Sequence, residues 1–344
     1  MSLIISTITP NNSAIVIGAD SRWGSTDLAD IDKWSVIELG DDAQKIFPVA
    51  PNIAVTTNGS TGFSYWGKNG PESGIDVESI LQDLAKKYTW KDLRRFIERL
   101  RRIITGEIDL KKELNILEEK MVKLLEEKKL KVIRLRKVLK DDDAYVRVSY
   151  SKNKRGKKDV WIERPDIDFT LTVNGFDYRR KRKASPVIKR LNFPENTVEN
   201  VTDKRVNFEA AGSKYIEEFS SSQFPFPLDS QLYRHILFYR PLSNGDLWVS
   251  TTLSVLKKQI DELCQCKLET ADKAVEVIES IIGKIALLER LEFKERQKDK
   301  YGSVPYVGGP IDLAVIDPVK GFYWVDVKRK IRERQAALGL NSNL

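Results

Sequence analysis

The sequence predicts an α+β fold in which helices cover the outer faces of two sheets. Strand-like and helix-like segments come in blocks, ordered strands, helices, strands, helices, strands. Such grouping favours layered α+β over alternating βαβ units. An apolar fraction of 41% over 344 residues is that of a globular chain with a sizeable core.

The first block opens with two β-branched runs, Leu3 to Ile8 and Ala14 to Ala19, separated by Pro10-Asn11-Asn12, which read as a hairpin. After a polar stretch, Lys45 to Val49 and Ile53 to Thr57 form a second pair, broken at Ala50-Pro51-Asn52 and closed by Asn58-Gly59-Ser60. A helix is predicted from about Thr61, interrupted by Gly67, Gly70 and Pro71. Residues 77–140 read as helical, and Leu110, Leu114, Leu117, Met121 and Leu124 form a narrow apolar seam that suits two long helices packed as a hairpin. Strand-like flanks, Ala144 to Tyr150 and Asp159 to Ile162, enclose a basic connection.

Strands return at Phe169 to Phe176, around Ala184 to Leu191 and at Val206 to Ala211, before Gly212-Ser213 opens a helix. Further helices are predicted at Val255 to Leu263 and Ala271 to Leu291, then strands at Ile311 to Ile316 and Gly321 to Val325. The tail after Val327 reads as an exposed helix with a frayed end.

A net charge of +8 raises the question of a nucleic-acid partner, but its distribution speaks against one. The basic residues from Arg94 to Lys140 alternate with Glu as on a solvated helix face, and Arg179 to Lys183 reads as a hairpin tip. No apolar run approaches the roughly 20 residues that span a bilayer, and the N-terminus lacks a signal-peptide layout. Two cysteines, Cys264 and Cys266, suit neither a disulfide framework nor a four-ligand zinc site. These features point to a cytoplasmic protein without a membrane partner.

Several chemistries drop out. The single histidine, His235, sits in an amphipathic run and makes a poor basis for a triad. Asn58-Gly59-Ser60-Thr61-Gly62 lacks the Gly two residues before Ser that a nucleophile elbow needs. Neither Gly59 to Gly62 nor Gly308-Gly309 ends in Gly-Lys-Ser/Thr, so no phosphate loop is present. What remains needs no histidine, metal or cofactor. Removal of Met1 would leave Ser2 at the N-terminus, where the α-amine, with an ordinary pKa of about 7.7–8.0, serves as its base. A nearby ammonium would hold that amine neutral.

Gly18-Ala19-Asp20-Ser21-Arg22 after an N-terminal hairpin, followed by Lys45-Ile46-Phe47 and Asn58-Gly59-Ser60, resembles the proteasome β subunits and their bacterial and archaeal relatives. The interval from Lys45 to Gly59 fits that family without a gap. The resemblance returns at Phe169 to Asp177, at Ala211 to Tyr215 and at Val307 to Asp312. It implies a four-layer αββα N-terminal-nucleophile hydrolase sandwich with a helical insertion. Residues 1–89 and 159–327 would form the core, 90–158 the insertion and 328–344 an exposed tail.

The resemblance also implies Ser2 as nucleophile, its α-amine as base, Lys45 as the cation that keeps the amine neutral, and Asp20 as the group orienting Lys45. Gly59 would supply an oxyanion-hole N–H, and Ser213 a supporting hydroxyl, although an ungapped alignment puts Ala211 there. Two positions depart from the family: Val304 and Val307 stand where it carries Asp and Ser, with Ser303 nearby. Ser2 in place of Thr also lacks a methyl that restricts the rotamer.

The resulting expectation is a threonine/serine-type peptidase acting on a peptide or protein substrate and assembling as a homo-oligomer. Two alternatives stay open: a transpeptidase using the same nucleophile, and a noncatalytic proteasome-like protein that binds a protein partner through the insertion.

Overall fold

The computed structural model describes residues 2–211, 255–296 and 307–325 apart from short internal stretches, the longest of them 60–64, 152–156, 164–168 and 179–183. The helix expected from Gly212, the tail helix, His235, Ser303, Val304, both cysteines and the Arg179 to Lys183 run lie outside the described residues.

Two five-stranded antiparallel sheets form the body. The first contains β1 (Ser2–Ile8), β2 (Ile15–Asp20), β15 (Val206–Ala211), β16 (Ile311–Asp317) and β17 (Gly321–Trp324), in the order β15-β1-β2-β16-β17. The second contains β5 (Ile46–Ala50), β6 (Ile53–Gly59), β12 (Phe169–Asp177), β13 (Ser185–Phe193) and β14 (Thr197–Asn200), in the order β14-β13-β12-β6-β5. Alternation along each strand sorts the side chains between two faces.

On the first sheet, Leu3, Ile5, Val16, Leu313 and Val315 pack against Ile278, Ile281 and Ile282 of a long helix, here α5 (Ala271–Arg296). Leu256, together with Ile260 and Leu263 from helical residues 258–263 (α4), completes that cluster. On the second sheet, Val55, Leu171, Val173 and Leu191 pack against Leu81 of α1 (Val77–Lys87) and Phe96 and Leu100 of α2 (Leu93–Glu107). Asp92 caps α2 by accepting from the Arg94 and Arg95 N–H groups. Between the sheets lies a third apolar cluster, including Ile4, Ile15, Ile17, Ile46, Ala54, Phe176, Ile188 and Ala314. No helix among the described residues is long and apolar enough to cross a membrane.

The architecture corrects the expected four-layer αββα sandwich with a helical insertion: three further antiparallel sheets accompany the two large ones, and one of them, within residues 131–163, takes up much of the expected helical insertion. The described residues form a mixed α/β structure with five helices and five antiparallel sheets. Residues read as the end of a helical block form β9 (Lys131–Lys140), which joins β10 (Asp143–Ser151) and β11 (Lys157–Glu163) in a separate sheet of order β11-β10-β9. The polar stretch before Lys45 forms a ribbon of β3 (Trp23–Asp30) and β4 (Lys33–Gly40). The region read as a helix from Thr61 contains the short pair β7 (Tyr65–Gly67) and β8 (Gly70–Glu72).

The physical reason shows best at the apolar seam. Its helix, α3 (Leu110–Glu127), buries Leu114, Leu117, Met121 and Leu125 against Val146, Val148 and Tyr150 of β10, with Val132 and Leu135 of β9 alongside. A narrow apolar stripe needs an apolar surface, and β-branched Val132, Ile133 and Val138 favour a pleated partner over a second helix.

Candidate active site

Asp20 ends β2, where the chain leaves the sheet, and its carboxylate is fully buried. A buried charge of this kind requires donors on both oxygens. Oδ1 accepts from the Leu3 backbone N–H at 2.7 Å and from Lys45 Nζ at 2.7 Å. Oδ2 accepts from the Arg22 N–H at 3.3 Å and from the Gly308 N–H at 3.1 Å. Four donors from four separate places in the chain therefore converge on one side chain.

Each donor is held by its own element. Leu3 sits in the interior strand β1, paired to β2 on one side and β15 on the other. Lys45 precedes β5, and its carbonyl accepts from the Thr57 N–H of β6 at 3.0 Å, which fixes its backbone two residues short of Gly59 in the ladder. Gly308 is drawn in by a return hydrogen bond, Ser21 N–H to Gly308 carbonyl at 3.1 Å, and by Ser21 Oγ donating to the Pro310 carbonyl at 2.5 Å. A Cβ at position 308 would collide with the Arg22 guanidinium, so glycine lets this loop close over the pair. Arg22 grips Asp41 with two parallel hydrogen bonds, 2.6 and 2.9 Å.

The electrostatics follow from burial. Lys45 is buried, and loss of water pushes its ammonium below the ordinary lysine value; the charge of Asp20 and its hydrogen bond oppose this. The Arg22 hydrogen bonds hold the Asp41 carboxyl below its usual range. Lys45 and the Leu3 N–H share one acceptor oxygen, so the Lys45 ammonium lies within two hydrogen-bond lengths of the residue that follows Ser2.

Of the residues singled out in the sequence, Asp20 and Lys45 are in direct contact. Ser2 is the first residue of β1, in register with Ala211; its side chain lies outside what is described. Gly59 ends β6, opposite Phe169. Ser213 lies outside the described residues. Val307 is 1% exposed and packs in the apolar cluster under α5.

Sequence reasoning missed Asp41 and the Gly308 N–H. Asp41 had no motif to announce it, while Gly308-Gly309 carried a signal in its paired glycines. Among the described residues, no group of His, Cys, Asp and Glu is arranged to hold a metal ion. Comparison of the chain with protein-family models and with curated proteins finds no match.

Proposed function

We propose that the chain is a proteasome-like N-terminal-nucleophile amide hydrolase, a peptidase that forms a covalent acyl intermediate on Ser2. The single observation that carries this reading is the buried Lys45–Asp20 pair tied through Asp20 Oδ1 to the backbone of Leu3, immediately after Ser2. A lone buried ion pair is weak evidence for a stabilising role, since its desolvation cost rivals its attraction. An ion pair hydrogen-bonded beside a potential N-terminal amine has a chemical use.

In this reading Met1 is removed and the free α-amine of Ser2 accepts the proton of Ser2 Oγ as the oxygen attacks a substrate carbonyl. The Lys45 ammonium disfavours a second positive charge nearby and so keeps the amine neutral. The Gly59 N–H faces the oxyanion, a contact of a kind worth about 2.7–4 kcal/mol in acyl transfer. The amine then passes its proton to the leaving nitrogen, the C–N bond breaks, and an acyl ester remains on Ser2. Water, deprotonated by the same amine, attacks the ester carbon; the acyl C–Oγ bond breaks, the amine returns its proton to Ser2 Oγ, and the acid leaves. A peptide or protein is the substrate, a homo-oligomer the assembly, and the cytoplasm the compartment.

The test is intact mass of the full chain, alone and after a peptide epoxyketone or β-lactone. Loss of Met1 with an adduct on Ser2, absent in Ser2→Ala, is the expected result. Retained Met1 on an unlabelled chain would sink the mechanism.

A further inference from the structure

The layer between the two large sheets is divided. One part is apolar, built around Ile4, Ile15, Ile17, Ile46, Phe176 and Ile188. The other holds Ser6, Thr56, Asn58, Thr172, Asn174, Asn207 and Glu209, each less than 9% exposed, together with the Arg190 side chain, which is 17% exposed.

Their register sets them around Thr172. Thr56 and Arg190 are its cross-strand partners on β6 and β13. Asn58, opposite Thr170, and Asn174, opposite Ala54, flank that row on its two sides along the same faces. From the opposite sheet, Asn207 pairs with Ser6 and Glu209 with Ile4. The sheets are tied across this layer by Arg190, which donates to the Asn207 side-chain oxygen and, at 3.3 Å, to the Phe208 carbonyl.

The polar groups do not satisfy one another. Asn207 Nδ2 donates to Glu209 Oε1, but Glu209 Oε2, Asn58 Oδ1, Asn174 Oδ1, Ser6 Oγ and Thr172 Oγ1 have no hydrogen-bond partner, and neither does Arg190 Nε. The Thr172 hydroxyl pulls on the Glu209 carboxyl without reaching hydrogen-bond geometry. Each such orphan costs about 1–3 kcal/mol, so six in one layer call for partners beyond the protein's own side chains.

We infer that these atoms enclose an internal hydration site between the two sheets, which holds ordered water against Glu209, Asn58, Asn174, Ser6, Thr172 and Arg190. Water fits the set because it both donates and accepts. The two asparagine oxygens require a donor; Arg190 Nε requires an acceptor; and the two hydroxyls and Glu209 Oε2, which donates when protonated and accepts when ionised, take either role. A metal cation meets only the oxygens, leaves Arg190 Nε unsatisfied and stands near a guanidinium of like charge. The rows from Asn174 to Asn58 span roughly 14 Å at about 3.4 Å per residue, so the site would hold several waters, each making about three hydrogen bonds.

Burial raises the Glu209 pKa, with the Arg190 charge opposing and the Glu199 carboxylate adding to the rise. This favours a neutral acid, which is compatible with water as its partner. Glu209 lies one inward-facing position from Ala211, the register partner of Ser2, so the hydration site reaches toward the N-terminal end of β1. The inference stands whether or not Ser2 is a nucleophile.

The test is a crystal structure of the full chain grown from rubidium chloride, with data collected at the rubidium edge. The expected result is solvent density within hydrogen-bond distance of Glu209 Oε2 and of at least two other orphaned atoms, with no anomalous peak. Side chains turned to pair with one another, leaving no solvent density, would overturn the inference, as would an anomalous peak marking a monovalent cation. In solution, oxygen-17 relaxation dispersion counts long-lived internal waters. Thr172→Val is expected to lose at least one of those counted in the unsubstituted chain, and an unchanged count argues against the site. The crystal experiment needs no substitution, so a variant that fails to fold leaves it decisive.

Discussion

Asp20 and Glu209 are both buried acidic side chains on strands of the same sheet, and the chain treats them oppositely. Asp20 receives four donors, two on each oxygen, one of them a lysine ammonium. Glu209 receives Asn207 on one oxygen and no protein hydrogen bond on the other. The difference teaches that burial alone does not define a charged site. Where donors converge, an acid is held as a fixed ion-pair hub; where they fall short, burial drives it toward neutrality.

The largest effect is expected from Asp20→Ala. It leaves the Lys45 ammonium buried without its carboxylate and three backbone N–H groups without that acceptor, a class of change that costs about 3–5 kcal/mol. Urea unfolding measures it, and a loss below about 1 kcal/mol would mean that the hub is not needed by the fold.

Glu209→Gln tests the other half of the comparison through its pH dependence. The Glu209 pKa is raised in the folded chain, so the protonated group contributes stability that is complete below its ordinary value of 4.5 and is lost as pH rises through the folded value. Unfolding followed upward from pH 4.5 is expected to show this decline in the unsubstituted chain and a flatter profile in the variant. Identical profiles would show that folding does not raise the Glu209 pKa and that the contrast with Asp20 is false.

Gly309→Ala probes the loop that brings the Gly308 N–H to Asp20. Gly309 has φ of +73°, and an added Cβ would lie 2.9 Å from the Asp41 Cβ. A left-handed non-glycine residue costs about 1–2 kcal/mol, and thermal unfolding is expected to register a loss of at least that size. No loss would place the loop outside the hub.

The smallest effect belongs to Asp41→Asn. Its side chain is 47% exposed, so solvent screens its pair with Arg22 and the loss is expected below about 1 kcal/mol. Its lowered pKa makes the contribution present above the ordinary value of 3.8 and lost as pH falls through the folded value. A larger loss at neutral pH would extend the hub outward to Asp41.

The strands that build both regions were legible in the sequence, because Leu3 to Ile8, Ala14 to Ala19 and Phe169 to Phe176 carry dense β-branched and aromatic residues. The contact between Lys45 and Asp20 was legible only in what the resemblance implied. The polar layer was not. Thr170, Thr172 and Asn174 alternate with Leu171 and Val173, a pattern that ordinarily means apolar side in and polar side out. Here both faces are covered, and only the opposing sheet reveals it.

Strand β9 was misread for a related reason. Its Lys and Arg residues, joined by Leu, suit an exposed helix as well as an edge strand, and only the β-branched Val132, Ile133 and Val138 favour the strand. The number of sheets was equally hidden, since each pairing depends on a partner elsewhere in the chain.

The Gly308 donor is separated from Asp20 by 288 residues. At ordinary synthesis rates of about 5–20 residues per second, roughly 15–60 s pass between the appearance of Asp20 and that of Gly308. During that interval a nascent chain already carries Leu3, Arg22 and Lys45, yet the loop that closes over the carboxylate has not been made. The hub can therefore be completed only late in translation, since a ribosome-bound chain stalled before residue 308 lacks one of its four donors.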